Sequence, residues 1–190
     1  MSEPLSVQNE KMTQDQLDAM VSLHTRYLEG RIGGRRATLK HTDLSGLILK
    51  NKNLRGADFS GCVMRRMDLS NTNFQESVLY ACDLSFSNLN NTSFVRADMR
   101  GIRIESANMV GADLEKADLR VGAIAQDGMY SVPQAVNFRG ANLSGARLSG
   151  SMANNADFSD AIMSQVNLQN ADFRGAKLTG ADLTGADVQG

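Results

Sequence analysis

Residues 171–190 read ADFRGAKLTGADLTGADVQG. The stretch counts in fives: a small residue, Asp or another polar residue, a large apolar residue, a polar residue, then Gly. Five is neither the helical period of 3.6 nor the strand period of two. It fits a short extended piece closed by a sharp turn. The apolar residue and the residue two before it point the same way, as alternate strand residues do. The other three point outward, and Gly or Asn suits the corner. One such piece cannot bury its apolar residue alone. Coiling the chain brings these residues onto one axis, with successive coils hydrogen-bonded at about 4.8 Å.

The same count runs through most of the chain. From Leu39 to Leu119, steps of five meet seventeen positions, each Leu, Phe, Met or Ile. A second run from Phe138 to Val188 adds eleven, with Ala153 the only small one. Two residues before these 28 centres Ala stands 14 times, and most of the others are Ser, Thr, Cys or Val, so the interior is narrow. Two residues after them stand 12 of the 17 Gly, which marks the corner. Both Pro residues, Pro4 and Pro133, fall outside the runs. That is expected where each N–H is needed for a hydrogen bond.

The units ADLTG, ANLSG and ADFRG resemble the pentapeptide-repeat family, A(D/N)LxX, and the resemblance covers residues 37–190 apart from one interruption. It implies an all-β fold, a right-handed quadrilateral parallel β-helix with four units per coil and about seven coils. Residues 1–12 read as a disordered tail. Residues 13–36 read as a capping α-helix and connector. Thr13 and Gln16 form a capping box, and Leu17, Met20, Val21, His24, Tyr27 and Leu28 recur at helical spacing. An open apolar end aggregates, so the helix is read as a lid on the first coil. Cys62 and Cys82, twenty residues apart and both two before a centre, read as buried small hydrophobes.

The interruption lies at about residues 122–136, and the step from Leu119 to Phe138 is 19, one short of a full coil. Either a coil loses one residue, or a face is interrupted and a loop bulges out around residues 127–134. Gly128 and Pro133 favour the loop, and Asp127, Gly128, Met129, Tyr130 and Pro133 are its candidate contact residues.

No catalytic, metal or cofactor motif stands in the chain: His24 and His41 lack ligand spacing, and no phosphate-binding or nucleophile signature occurs. A filled interior leaves no cavity for substrate, so an enzyme is not expected. One feature departs from the repeat pattern. Arg65, Arg66, Tyr80, Phe86, Arg100, Arg103 and Arg120 fall on two adjoining faces, an arginine–aromatic mixture typical of interface hot spots. Stacking Arg100 on Arg120 would be repulsive. A plain solvated surface, with Asp58, Asp98 and Asp118 interleaved, is the alternative.

A non-catalytic protein-interaction scaffold is therefore expected, its partner unknown. The resemblance implies a second reading, binding of DNA gyrase by mimicry of B-DNA, as in quinolone-resistance (Qnr-type) members. Residues 37–190 carry 15 Lys+Arg against 16 Asp+Glu, which argues against such mimicry. Direct nucleic-acid binding through the arginine patch is a third reading. The resemblance also implies a homodimer through the C-terminal coils, with Phe173, Leu178, Leu183 and Val188 at the interface. Two Cys and no apolar leader or span point to the cytoplasm, without membrane attachment.

Overall fold

The computed structural model describes residues 10–126 and 130–190. It is a β-helix whose ladder is built from single parallel bridges. The residue before each centre pairs with the residue twenty further on: Thr38 with Asp58, Asp58 with Val78, Val78 with Asp98, and so on to Asn167 with Asp187.

The unit of Phe59 shows why five residues suffice. Phe59 N–H donates to the Val78 carbonyl at 2.8 Å, in the next coil. Ser60 N–H donates to its neighbour's carboxylate, Asp58 Oδ1, at 3.0 Å. Gly61 N–H donates to Tyr80 at 2.8 Å, and Cys62 N–H closes the turn onto the Phe59 carbonyl at 3.0 Å. Val63 N–H donates backward to Thr42 at 3.0 Å. Every backbone donor is placed, so Pro has no position in the unit. The Asp or Asn before the centre is explained as well: its side chain takes the one N–H that the ladder leaves over. Asp43, Asn73, Asp98, Asn142 and Asp182 do the same. The hydrogen bonds from Ser45 hold the Asp43 carboxyl below the usual range.

The turn needs a positive φ at its third residue. Each centre but Leu119 is followed, two residues on, by such a residue. Where it is Gly, as at Gly61 (φ 70°), this is unstrained; where it is Arg66 or Phe86 (φ 55° and 63°), it costs about 1–2 kcal/mol. Only Val121 lacks the conformation, and there the chain leaves the rod.

Centres from Leu44 to Met163 are fully buried. Phe74 and Phe94 stack with centroids 5.7 Å apart, and Phe138 and Phe158 at 4.7 Å. Most buried polar residues two before a centre are satisfied inside the rod, Ser151 Oγ being left without a partner among the described residues. Thr72, Ser87 and Thr92 each donate to a centre's carbonyl one coil earlier, at 2.7–2.8 Å. Cys62 and Cys82 are free and make the same bond through Sγ. Burial pushes the Cys62 thiol up to about 11.

Before the rod lies α1 (Gln14–Leu28), with the Thr13–Gln16 capping box at its start. Leu17, Val21 and His24 are its buried residues. His24 Nδ1 accepts the Ala37 N–H at 3.0 Å, and the ring stacks on Tyr27. Burial lowers the His24 pKa, so the ring stays neutral and keeps its acceptor. The Gln14 amide brackets Ile48, donating to its carbonyl and accepting from its N–H. The disordered tail expected over residues 1–12 is corrected at its end. Here β1 (Glu10–Lys11) pairs in parallel with β2 (Thr42–Asp43), and Met12 N–H donates to the Asp43 carbonyl at 3.0 Å. Residues 1–9 lie outside the described residues.

The interruption is a hairpin, β3 (Gly122–Gln126) antiparallel to β4 (Tyr130–Gln134). Across it the bridges jump by 34 in place of 20: Arg103 pairs with Asn137, and Asp118 with Met152. Fourteen residues are thus inserted at a corner, and the coil continues with no residue lost. Of the two alternatives the bridges exclude the shortened coil: 19 is one unit of five plus a fourteen-residue insertion, which stands at a corner and not within a face.

Candidate interaction surface

The hairpin does not swing free of the rod. Tyr80 Oη accepts the Ala123 N–H and donates to the Ala123 carbonyl, each at 2.6 Å. Ala123 stands opposite Pro133, which has no N–H to give, so its amide is turned toward Tyr80. Below it Gly122 lies against Gly101: a Cβ on Gly122 would come within 2.9 Å of the Gly101 Cα, so only Gly fits. Gln134 Nε2 donates to the Gly101 carbonyl and ties down the other strand. Both feet of the hairpin are therefore pinned to the corner at Gly101. Asp127, Gly128 and Met129 lie outside the described residues. Of the other expected loop residues, Tyr130 begins β4 opposite Gln126, and Pro133 is exposed.

The expected arginine patch divides in two. Arg100 and Arg120 do stack one coil apart, but the repulsion expected between them is relieved. Arg100 grips Asp98 with both Nε and Nη2, at 2.8 and 2.7 Å, and reaches Asp118 at 3.7 Å. Arg120 grips Asp118 in the same two-pronged way, at 2.8 and 2.7 Å. Burial alone would raise the Asp118 carboxyl, but the hydrogen bonds from Arg120 and the charge of Arg100 bring it below the usual range. The Arg100 guanidinium also lies 5.2 Å from the Tyr80 ring centroid. Tyr80 thus holds the hairpin through its hydroxyl, with Arg100 over its ring.

The second half is open. Phe86 projects from a corner, 45 % exposed. Arg65 and Arg66 lie over its ring at 5.4 and 5.6 Å. Arg65 touches Asp83 only at 3.7 Å, while among the described residues Arg66 and Arg103 form no ion pair. Arg103 is exposed on the same face, bridged through its backbone to Asp83. No sequence signal announced the Tyr80–Ala123 link. Gly122, lying outside the repeat with no turn of its own to serve, was the one readable hint.

At the far end, Phe173 and Leu183 are half-buried, while Leu178 and Val188 are 37 % and 66 % exposed. Among the described residues no His, Cys, Asp and Glu group could hold a metal, and no helix is long and apolar enough to cross a membrane.

The family model of pentapeptide repeats matches residues 37–75, 82–120, 134–170 and 154–190, in eight copies. Solved structures similar to the chain include a trypsin-treated variant of QnrB1, a plasmid-mediated fluoroquinolone resistance protein. It is 19 % identical, with 79 % of this chain and 72 % of that chain covered and a TM-score of 0.49. HetL, a pentapeptide repeat protein involved in heterocyst differentiation regulation from the cyanobacterium Nostoc sp. strain PCC 7120, is 23 % identical. There 92 % and 96 % are covered, at a TM-score of 0.26. A pentapeptide repeat protein from the Arabidopsis thaliana thylakoid lumen is 22 % identical, with 78 % and 66 % covered and a TM-score of 0.23. No curated protein matches the chain.

Proposed function

We propose that this chain, which belongs to the pentapeptide-repeat family, is a non-catalytic scaffold that binds a protein partner through the β3–β4 hairpin and the faces beside it. The observation that carries this reading is the hairpin's attachment. Fourteen residues are added at one corner without disturbing the ladder, then fixed to the rod by Tyr80, Gly101 and Gln134. A rigid rod that holds an added element in one orientation lowers the ordering cost of binding. The reading includes seven coils of four units, with α1 covering the first.

Mimicry of duplex DNA fits less well. The aspartates that would supply its charge cap turns, and on the face of Asp98 and Asp118 arginines neutralise them. Excising residues 122–135 abolishes capture of the cellular partner and leaves the far-UV spectrum of the rod in place. Undiminished capture by the excised protein refutes the reading. Inhibition of gyrase supercoiling by the intact chain, lost on the same excision, favours mimicry instead.

The exposed centres Leu178 and Val188, with Phe173 and Leu183, support a second element of the proposal. Two copies meet there about a two-fold axis, burying both apolar discs. Sedimentation tests it: a dimer at tens of micromolar that Leu183→Lys converts to a folded monomer. A dimer indifferent to that substitution rules this interface out.

A further inference from the structure

We infer that the corner formed by Arg65, Arg66, Phe86 and Arg103 is a recognition site for an acidic, apolar segment of a protein partner. The inference rests on the scaffold reading above and assigns its chemistry to the corner at Phe86, as distinct from the hairpin's own corner at Gly101.

Three observations support it. The first is conformational. Position 86 needs a left-handed backbone, which Gly supplies at Gly46 and Gly140 in the same corner column. Arg66 and Phe86 hold that conformation against their own side chains, at φ 55° and 63°; among the described residues thirteen other non-Gly residues do so too, but of them all Phe86 alone is a large apolar residue. A large apolar residue is the least suited to such a position, and strain of this kind collects at functional sites. The second is that nothing in the rod makes use of them. Phe86 is exposed, and among the described residues no ring packs on it; two guanidinium groups lie over it. The third is charge. Arg66 and Arg103 have no carboxylate partner among the described residues, unlike Arg100, Arg120 and Arg174, each held by its own Asp.

The chemistry of the occupant follows from that set. An exposed ring offers a partner's Phe or Leu an apolar footing. The guanidinium groups of Arg65 and Arg66 over the ring, and the exposed Arg103 on the same face, offer forked donors to carboxylates. Nucleic acid fits poorly, because a strand or duplex requires a track of cations along its phosphates. Here Asp83 and Glu105 stand among only three arginines.

The test exploits the backbone. Arg66→Gly with Phe86→Gly removes the recognition groups while giving the corner the residue its φ prefers. The double variant therefore melts at or above the temperature of the unaltered chain, and a loss of binding in it is not a loss of fold. The probe is a short fluorescein-labelled peptide alternating Glu with Phe and Leu, read by anisotropy. The full chain binds it, more weakly as salt rises, and the double variant binds at least about ten-fold more weakly. Equal affinity of the two proteins, or no binding by either, overturns the inference. Excision of residues 122–135 leaves peptide binding unchanged, so loss of the hairpin's own partner and loss of this site are read separately. Labelled duplex DNA bound more tightly than the peptide, and released by the double variant, overturns both this inference and the protein-scaffold reading.

Discussion

Phe74→Ala lowers the stability of the rod by about 3–5 kcal/mol, at the upper end for a core truncation. The ring is fully buried, stacked on Phe94 one coil above and edge-on to Phe59, each with centroids 5.7 Å apart. A cavity normally recovers part of its cost by collapse of the surroundings. Here collapse is restricted, because the coils are held apart by the ladder itself. Phe74 N–H is fixed to Ser93 and the Phe94 N–H to Asp113, at 2.7 and 2.6 Å. The aromatic pair adds about 0.5–1.5 kcal/mol beyond area. Thr184→Ala is the control: its hydroxyl bonds Asp182 on an exposed face, so the effect stays within about 0.5 kcal/mol. Urea unfolding of both variants checks the pair. Similar midpoints for the two would mean that the centres do not form the core.

Why the centres could be read from the sequence is visible in the unit of Phe59. Each of its five N–H groups has one fixed destination, so each position has one narrow requirement: small and inward, Asp or Asn, large and apolar, free, Gly. A requirement repeated 28 times is legible without any structure. What escaped the reading is what does not repeat. Counting alone left the step of 19 open between a lost residue and a loop, and although Gly128 and Pro133 favoured the loop, counting cannot tell a corner from a face. Tyr80 was read from its type as an interface residue, yet its hydroxyl is occupied by Ala123. For Arg100 and Arg120 the sequence offered both repulsion within their own column and interleaved aspartates, and spacing alone does not say which aspartate each guanidinium grips. The aspartates that pair with them belong to the turn caps of the adjoining column. Glu10 and Lys11 carry no unit pattern, and only their register against Thr42 and Asp43 places them in the sheet.

The same logic makes the insertion a sharp test of phase. Excising residues 122–135 joins Val121 to Val136 and restores a step of five between Leu119 and Phe138. Val136 then takes the inward position three residues after Leu119, where it is already fully buried. Its carbonyl still accepts the Asp157 N–H, and Asn137 N–H still donates to Ile102. Among the described residues the hairpin's own bonds and its ties to Tyr80 and Gly101 are lost, the first tie on an exposed surface and the second half-buried, and a loop is shortened, which favours closure. The expected change in stability is within about 1 kcal/mol. Excising residues 122–136 removes one residue more and leaves a step of four. Four residues cannot supply the extended piece, the corner and the inward residue together. The coil loses the buried Val136 side chain and the ladder bond to Asp157, or pulls Phe138 out of line with Ile104 below it. Either outcome costs about 3 kcal/mol or more, from a core truncation together with a buried backbone group left without its partner. Denaturant unfolding of the two excised proteins separates the cases. A large loss on removing the fourteen residues would mean that the hairpin belongs to the rod's core. Equal stability of the two would mean that the ladder does not continue across the break in register.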